Sequence, residues 1–169
     1  MTIPPQQAHW DPALSPARLA EANINPVTGL STDYLNHFNE AIMLLEMLPT
    51  APDCRIDFLA WRPMSYSQHF TASTFKYREL AILAYEKSNP AIRGELDTLA
   101  DTMTEVLTAI REAMELGSAS DASDKLAERA VAWLKPLIAR AGAVINGGDI
   151  AGEAPQVTVD ALMRRHNGG

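Results

Sequence analysis

The sequence has very little cysteine: Cys54 is the only one among 169 residues. A single thiol cannot form a disulfide within the chain, and it cannot supply the paired cysteines of a structural zinc site. The longest nearly uniform apolar run, residues 41–48, is far shorter than the roughly 20 residues that span a bilayer. The first residues lack the basic and apolar regions of a signal peptide. These absences predict a cytoplasmic protein that has no membrane partner.

Basic side chains are also scarce, with 14 Lys and Arg against 21 Asp and Glu and a formal net charge of -7. Proteins that bind nucleic acids neutralise phosphates with clustered Lys and Arg, so we expect no nucleic-acid partner. No glycine-rich phosphate-binding motif occurs, since Gly147-Gly148 stands alone. This excludes P-loop and dinucleotide-binding classes, and the sequence predicts no cofactor.

Apolar residues are abundant, at 47% of the chain, and their spacing is helical. The pattern predicts long helices over about residues 32–48, 65–87, 90–116 and 126–145. Shorter helices are predicted near residues 15–23, 53–61 and 158–165. The fold class that follows is all-α, an antiparallel bundle of four long helices with short flanking helices.

The clearest pattern is a heptad seam on the third long helix. Its members alternate in steps of four and three residues: Ile92, Leu96, Leu99, Met103, Val106, Ile110 and Ala113. Such a seam favours nearly parallel packing inside the bundle, and the alternative is pairing with the same seam of a second copy. The predicted organisation is a flexible arm at 1–14, a bundle domain at 15–146, and a Gly-rich tether with a short amphipathic helix at 147–169.

The segment 57–69 carries residue types that are enriched at protein interfaces. Trp61, Arg62, Tyr66 and His69 lie around a loop that precedes a capped helix. We predict that these residues form a partner-binding surface. The alternative is a packed plug at the end of the bundle, in which Trp61 is buried and Arg62 pairs with an acidic neighbour.

The C-terminal segment 157–166 is amphipathic, with Val159, Leu162 and Met163 on one face. Segments of this kind dock their apolar face into a groove. That groove belongs to another protein, to a second copy, or to the chain's own bundle.

A metal site is the competing hypothesis. His37 and Glu40 share one helix face, and His69 and Glu79 lie on the next long helix, as ligands do in metal-binding bundles. The order of these residues departs from the Glu-x-x-His pattern of such bundles, so we interpret the polar face as solvated and predict no metal. An apolar pocket lined by Met43, Met47, Trp61 and Tyr66 is a further alternative.

The absence of catalytic motifs favours a non-enzymatic interaction or regulatory protein. It would act through the surface around Trp61–His69 and through the C-terminal amphipathic segment, on another protein or a second copy of itself. The alternative is a helical-bundle protein that binds a small molecule or metal through His37, Glu40 and His69, with or without catalysis.

Overall fold

A computed structural model describes residues 11–117 and 120–148 of the chain. Over these ranges the chain is helical and contains no strand, which confirms the all-α prediction. Two 3-10 helices occupy Pro12–Leu14 and Thr32–Tyr34. The α-helices are α1 (Pro16–Glu21), α2 (Leu35–Met47), α3 (Cys54–Ala60), α4 (Tyr66–Ala72), α5 (Arg78–Lys87), α6 (Pro90–Leu116) and α7 (Ser120–Ile145).

The two longest helices, α6 and α7, form an antiparallel pair. Arg140, near the end of α7, makes an ion pair of 2.7 Å with Glu95 at the start of α6. Most of the predicted heptad seam lies inside the core, where Leu96, Met103 and Ile110 are buried. This part of the seam therefore packs within the chain.

The prediction of one long helix over 65–87 is wrong, because the chain forms two shorter helices there, α4 and α5. The capping box that begins α4 is present: Ser65 accepts from the Gln68 N–H, and the Gln68 side chain accepts from the Ser65 N–H. Ser73 then ends the helix, since its hydroxyl donates to the Phe70 carbonyl at 2.8 Å and accepts from the Phe75 N–H at 3.3 Å. Such bonds compete with helical ones. The structure consequently does not confirm a bundle of four long antiparallel helices.

Helix α2 is buried on more than one face. Phe38, Ala41 and Leu45 lie in the core, and α2 packs against both α7 and α3. Glu46 near its end pairs with Lys135 of α7. This arrangement makes α2 the element around which the short helices are organised.

The residues before α2 hold the end of α7 in place. The Thr28 hydroxyl donates to the Ile145 carbonyl at 2.6 Å, and both residues are buried. Leu14 is also in the core, so the packed part of the chain begins before residue 15. No helix in the described part of the chain is both long enough and apolar enough to cross a membrane.

Candidate functional site

Trp61 is buried, and only 8% of its surface is exposed. Helix α3 ends at Ala60, and the extended backbone of Trp61 turns its side chain back toward α2. The indole Nε1 donates to the His37 carbonyl at 3.1 Å, and the indole ring stacks on the His37 imidazole with centroids 4.6 Å apart. Arg111 of α6 donates to the Trp61 carbonyl at 3.1 Å. Trp61 is therefore a fixed structural element.

His37 is buried, so the expectation that its helix face is solvated is wrong at this residue. Its Nε2 accepts a hydrogen bond from the Met64 N–H at 3.0 Å, which requires a neutral ring with its proton on Nδ1. Burial, followed by the proximity of His69, lowers the pKa of His37 to about 4. The segment 61–65 covers this face of α2, and the neutral imidazole is the group that anchors it.

His69 and Tyr34 complete the same cluster of rings. His69 is half-buried, and its ring centroid lies 6.0 Å from that of His37 and 5.7 Å from that of Tyr34. Burial lowers the pKa of His69. The Tyr34 hydroxyl donates to the Met64 carbonyl at 2.9 Å. Both backbone polar groups of Met64 are thus bound by side chains from the start of α2.

Tyr66 is buried on the other side of this cluster. Its hydroxyl accepts from the Ser31 N–H at 2.9 Å, and its ring stacks on Tyr85 with centroids 4.6 Å apart. The Tyr85 hydroxyl in turn lies 2.8 Å from each oxygen of the Asp97 carboxylate, to which it donates. Burial and this hydrogen bond raise the pKa of Tyr85 to about 12. Tyr66 therefore links the loop before α2 to α5 and α6.

These contacts favour the packed plug for Trp61 and Tyr66, neither of which presents a free surface. Arg62 is exposed, but its guanidinium donates to the carbonyls of Leu59 at 2.7 Å and Trp61 at 2.9 Å, so the expected pairing with an acidic neighbour is wrong. Val159, Leu162 and Met163 lie outside the described residues, and their predicted role stays a prediction.

One edge of Trp61 nevertheless lines an open groove of about 370 Å³ between α2 and α3. Because Trp61 at the end of α3 bonds to His37 near the start of α2, the two helices run antiparallel. We call this feature the α2–α3 groove. Its lining residues are Glu40, Met43, Leu44, Asp57, Ala60 and Trp61.

The apolar surface of the α2–α3 groove continues toward the turn between the helices. Met47 lies one helical turn beyond Met43, and Ile56 lies one turn before Ala60, so both extend the walls of the groove. The exposed fractions are 50% for Met43, 40% for Met47 and 71% for Ile56. The outcome is a row of flexible apolar side chains open to solvent.

The rim of the α2–α3 groove is acidic. Glu40 stands on α2 and Asp57 on α3, and neither makes an ion pair with any residue that the structure describes. Arg55, the nearest basic residue along α3, is directed to the carbonyls of Met114 and Gly117 instead. The groove thus combines an apolar floor with two uncompensated carboxylates.

The residues of the metal hypothesis are only partly brought together. His37 and His69 are neighbours, whereas Glu40 and Glu79 are exposed on different helices. The Nε2 lone pair of His37 is already used by the Met64 N–H. Across the described ranges, no three His, Cys, Asp or Glu side chains are grouped as metal ligands would be.

A second cleft, of about 220 Å³, lies where the loop after α1 meets the end of α7. The polar side chains that line it are those of Asn23, Asn25, Thr32 and Asn146. Part of that polarity already serves the fold, because the Asn25 side chain accepts from the Val27 and Thr28 N–H groups. It offers neither a charged side chain nor an exposed apolar row, so the α2–α3 groove is the better candidate.

Comparisons with protein-family models, with curated proteins and with solved structures found no match to this chain. The functional argument therefore depends on the groove itself.

Proposed function

We propose that this protein is a non-enzymatic interaction module that binds an amphipathic helix with basic residues in the α2–α3 groove. The observation that carries the proposal is the row of exposed apolar side chains, Met43, Met47 and Ile56, beside two carboxylates that have no ion-pair partner among the described residues.

The apolar row suits a helical partner. A helix laid along a groove between two helices buries side chains at positions i, i+3, i+4 and i+7. Methionine is unbranched and adapts its shape to such side chains, which makes it common on peptide-binding surfaces. Covering the three exposed side chains removes apolar area from water, which is the main driving force of association.

The carboxylates select the charge of the partner. A helix that covers Glu40 and Asp57 takes them partly out of water, and this is costly unless each gains a cationic partner. Lys or Arg beside the apolar face of the bound helix meets that need, while an acidic helix is repelled. The protein's net charge of -7 adds a long-range attraction for basic segments.

The groove is also built before any partner arrives. Trp61 is fixed by His37 and by Arg111, so its edge keeps its place when a ligand binds. A preformed wall reduces the entropy lost on binding. This is the use we propose for the packed cluster around Trp61, in place of direct contact by Tyr66 or His69.

The test is fluorescence-anisotropy binding of a synthetic helical peptide of about 18 residues, apolar at i, i+3, i+4 and i+7 and otherwise rich in Lys and Arg. The same peptide with Glu in place of Lys and Arg is the matched ligand control. We expect micromolar to submillimolar binding of the basic peptide alone. Met43→Asp should weaken that binding by about tenfold or more, since the apolar face of the bound helix would bury the new carboxylate without a cationic partner.

Trp133→Ala is the matched protein control, because Trp133 is 71% exposed on α7 and outside the groove. It should leave the affinity unchanged. Equal binding of the basic and acidic peptides, or equal losses for Met43→Asp and Trp133→Ala, would contradict the proposed site.

A further inference from the structure

We infer that the occupant of the α2–α3 groove is the chain's own C-terminal segment, residues 157–166. The inference rests on the proposed function, because it needs a groove that accepts an amphipathic, basic helix. If the chain's own segment occupies the groove, an external partner must displace that segment in order to bind.

The segment has the chemistry that the groove requires. Val159, Leu162 and Met163 are spaced i, i+3 and i+4, which gives one apolar helix face. Arg164 and Arg165 follow directly, and with Asp160 as the segment's one acidic residue they leave it with a net positive charge. No other part of the sequence places two adjacent arginines beside such a face. The pairing of these arginines with Glu40 and Asp57 satisfies the carboxylates that lack an ion pair in the described part of the chain.

The chain length permits the contact. The end of α7 lies beside the start of α2, where a Cβ on Gly142 would be 3.8 Å from Leu35. Met43 is about 12 Å further along α2, and crossing the helix adds about 10 Å, from the helical rise and diameter. Gly148 lies six residues beyond Gly142, which adds about 9 Å, so the path from Gly148 to the groove is roughly 30 Å. Residues 149–158 span up to about 33 Å when extended, which is sufficient.

Trp133 on α7, another exposed apolar side chain, is a worse host. It is flanked on the same helix face by Arg129 and Arg140, one and two turns away, and Arg140 already pairs with Glu95. Arg164 and Arg165 would be repelled there, whereas the α2–α3 groove attracts them. Charge therefore decides between the two faces.

The experiment compares two full-length proteins as receptors for a labelled peptide with the sequence of residues 156–168. In the wild type the tethered segment competes with the peptide. In the Leu162→Asp/Met163→Asp protein the competitor no longer binds. A tether of this length gives an effective concentration of about 1 mM, so a peptide with a Kd of about 0.1 mM should bind the variant roughly tenfold more tightly.

The matched control is Asn167→Asp/Gly168→Asp, which adds the same charge just beyond the segment. It should bind the peptide as weakly as the wild type does. Glu40→Lys/Asp57→Lys should lose the peptide, and a peptide with Glu in place of both arginines should regain affinity for it.

The failures of the two proposals differ. If the generic basic helix binds in a Met43-dependent manner but Leu162→Asp/Met163→Asp changes no affinity, the groove is an interaction site and the segment is not its occupant. If neither peptide binds any of the proteins, the proposed function itself is wrong. If sedimentation gives a dimer for the wild type and a monomer for Leu162→Asp/Met163→Asp, the occupant is the segment of a second copy, which overturns the inference.

Discussion

Lowering the pH should destabilise this protein through one buried imidazole, that of His37. Neutral His37 accepts the Met64 N–H at Nε2, and protonation would place a second donor at that position. The lost bond also frees the segment 61–65 from α2. We therefore expect acid to act first on the anchoring of Trp61 and Met64.

The magnitude follows from the pKa difference between the folded and unfolded chain. His37 has a pKa of about 4 in the fold, against an ordinary value of 6.5. At roughly 1.4 kcal/mol for each pH unit, this corresponds to about 3 kcal/mol of folding free energy. The unfolded chain binds more protons between these two values, so the contribution is complete above pH 6.5 and is lost as the pH falls toward 4.

The assay is urea unfolding followed by far-ultraviolet circular dichroism, repeated from neutral pH down to about pH 4. His37→Gln is the control, because its amide oxygen can accept the Met64 N–H but does not titrate. Acidic side chains titrate in both proteins and cancel in the comparison. The free energy of unfolding should fall by about 2–3 kcal/mol more in the wild type than in His37→Gln. Parallel pH profiles for the two proteins would refute the assignment of His37 as a buried neutral acceptor.

For three further substitutions, local geometry determines whether the free energy of unfolding rises or falls. Urea unfolding at neutral pH measures all three changes. Gly29→Ala should cost about 1–2 kcal/mol, because Gly29 has φ of +73° and a Cβ there would lie 3.0 Å from the Ala84 carbonyl oxygen. Gly94→Ala should instead stabilise by about 0.5–1 kcal/mol, since its Cβ would meet nothing within 4 Å on an exposed helix face. Ser65→Ala should cost about 1 kcal/mol through the lost cap of α4.

Local sequence signals predicted much of the helical architecture. The Ser65–Gln68 capping box and the seam from Leu96 to Ile110 are both found in the structure. These signals succeed because the bonds and packing that they describe involve residues within a few turns of one another. The break at Ser73 was missed because apolar spacing continues across it, from Phe70 to Tyr77, while the hydroxyl that ends α4 acts through its own backbone contacts.

The site was harder to predict because it depends on a contact between distant segments. His37 lies at the edge of the apolar stripe of α2, and its polar side chain assigned it, with Glu40, to the solvated face. Only the return of the chain at Trp61 and Met64 covers it, and nothing in the spacing of α2 records that return. The same contact buries all but 8% of the surface of Trp61, whose residue type suggested an interface anchor.

Met43 illustrates the converse case. In the sequence it belongs to a run that is apolar nearly all round, a pattern that is typical of a helix buried on more than one face. Helices α7 and α3 pack on α2 along two sectors of its circumference, however, and leave a third sector, that of Met43 and Met47, facing solvent. The groove lies where this sector meets α3. Its exposed apolar surface is what the proposed partner helix would cover.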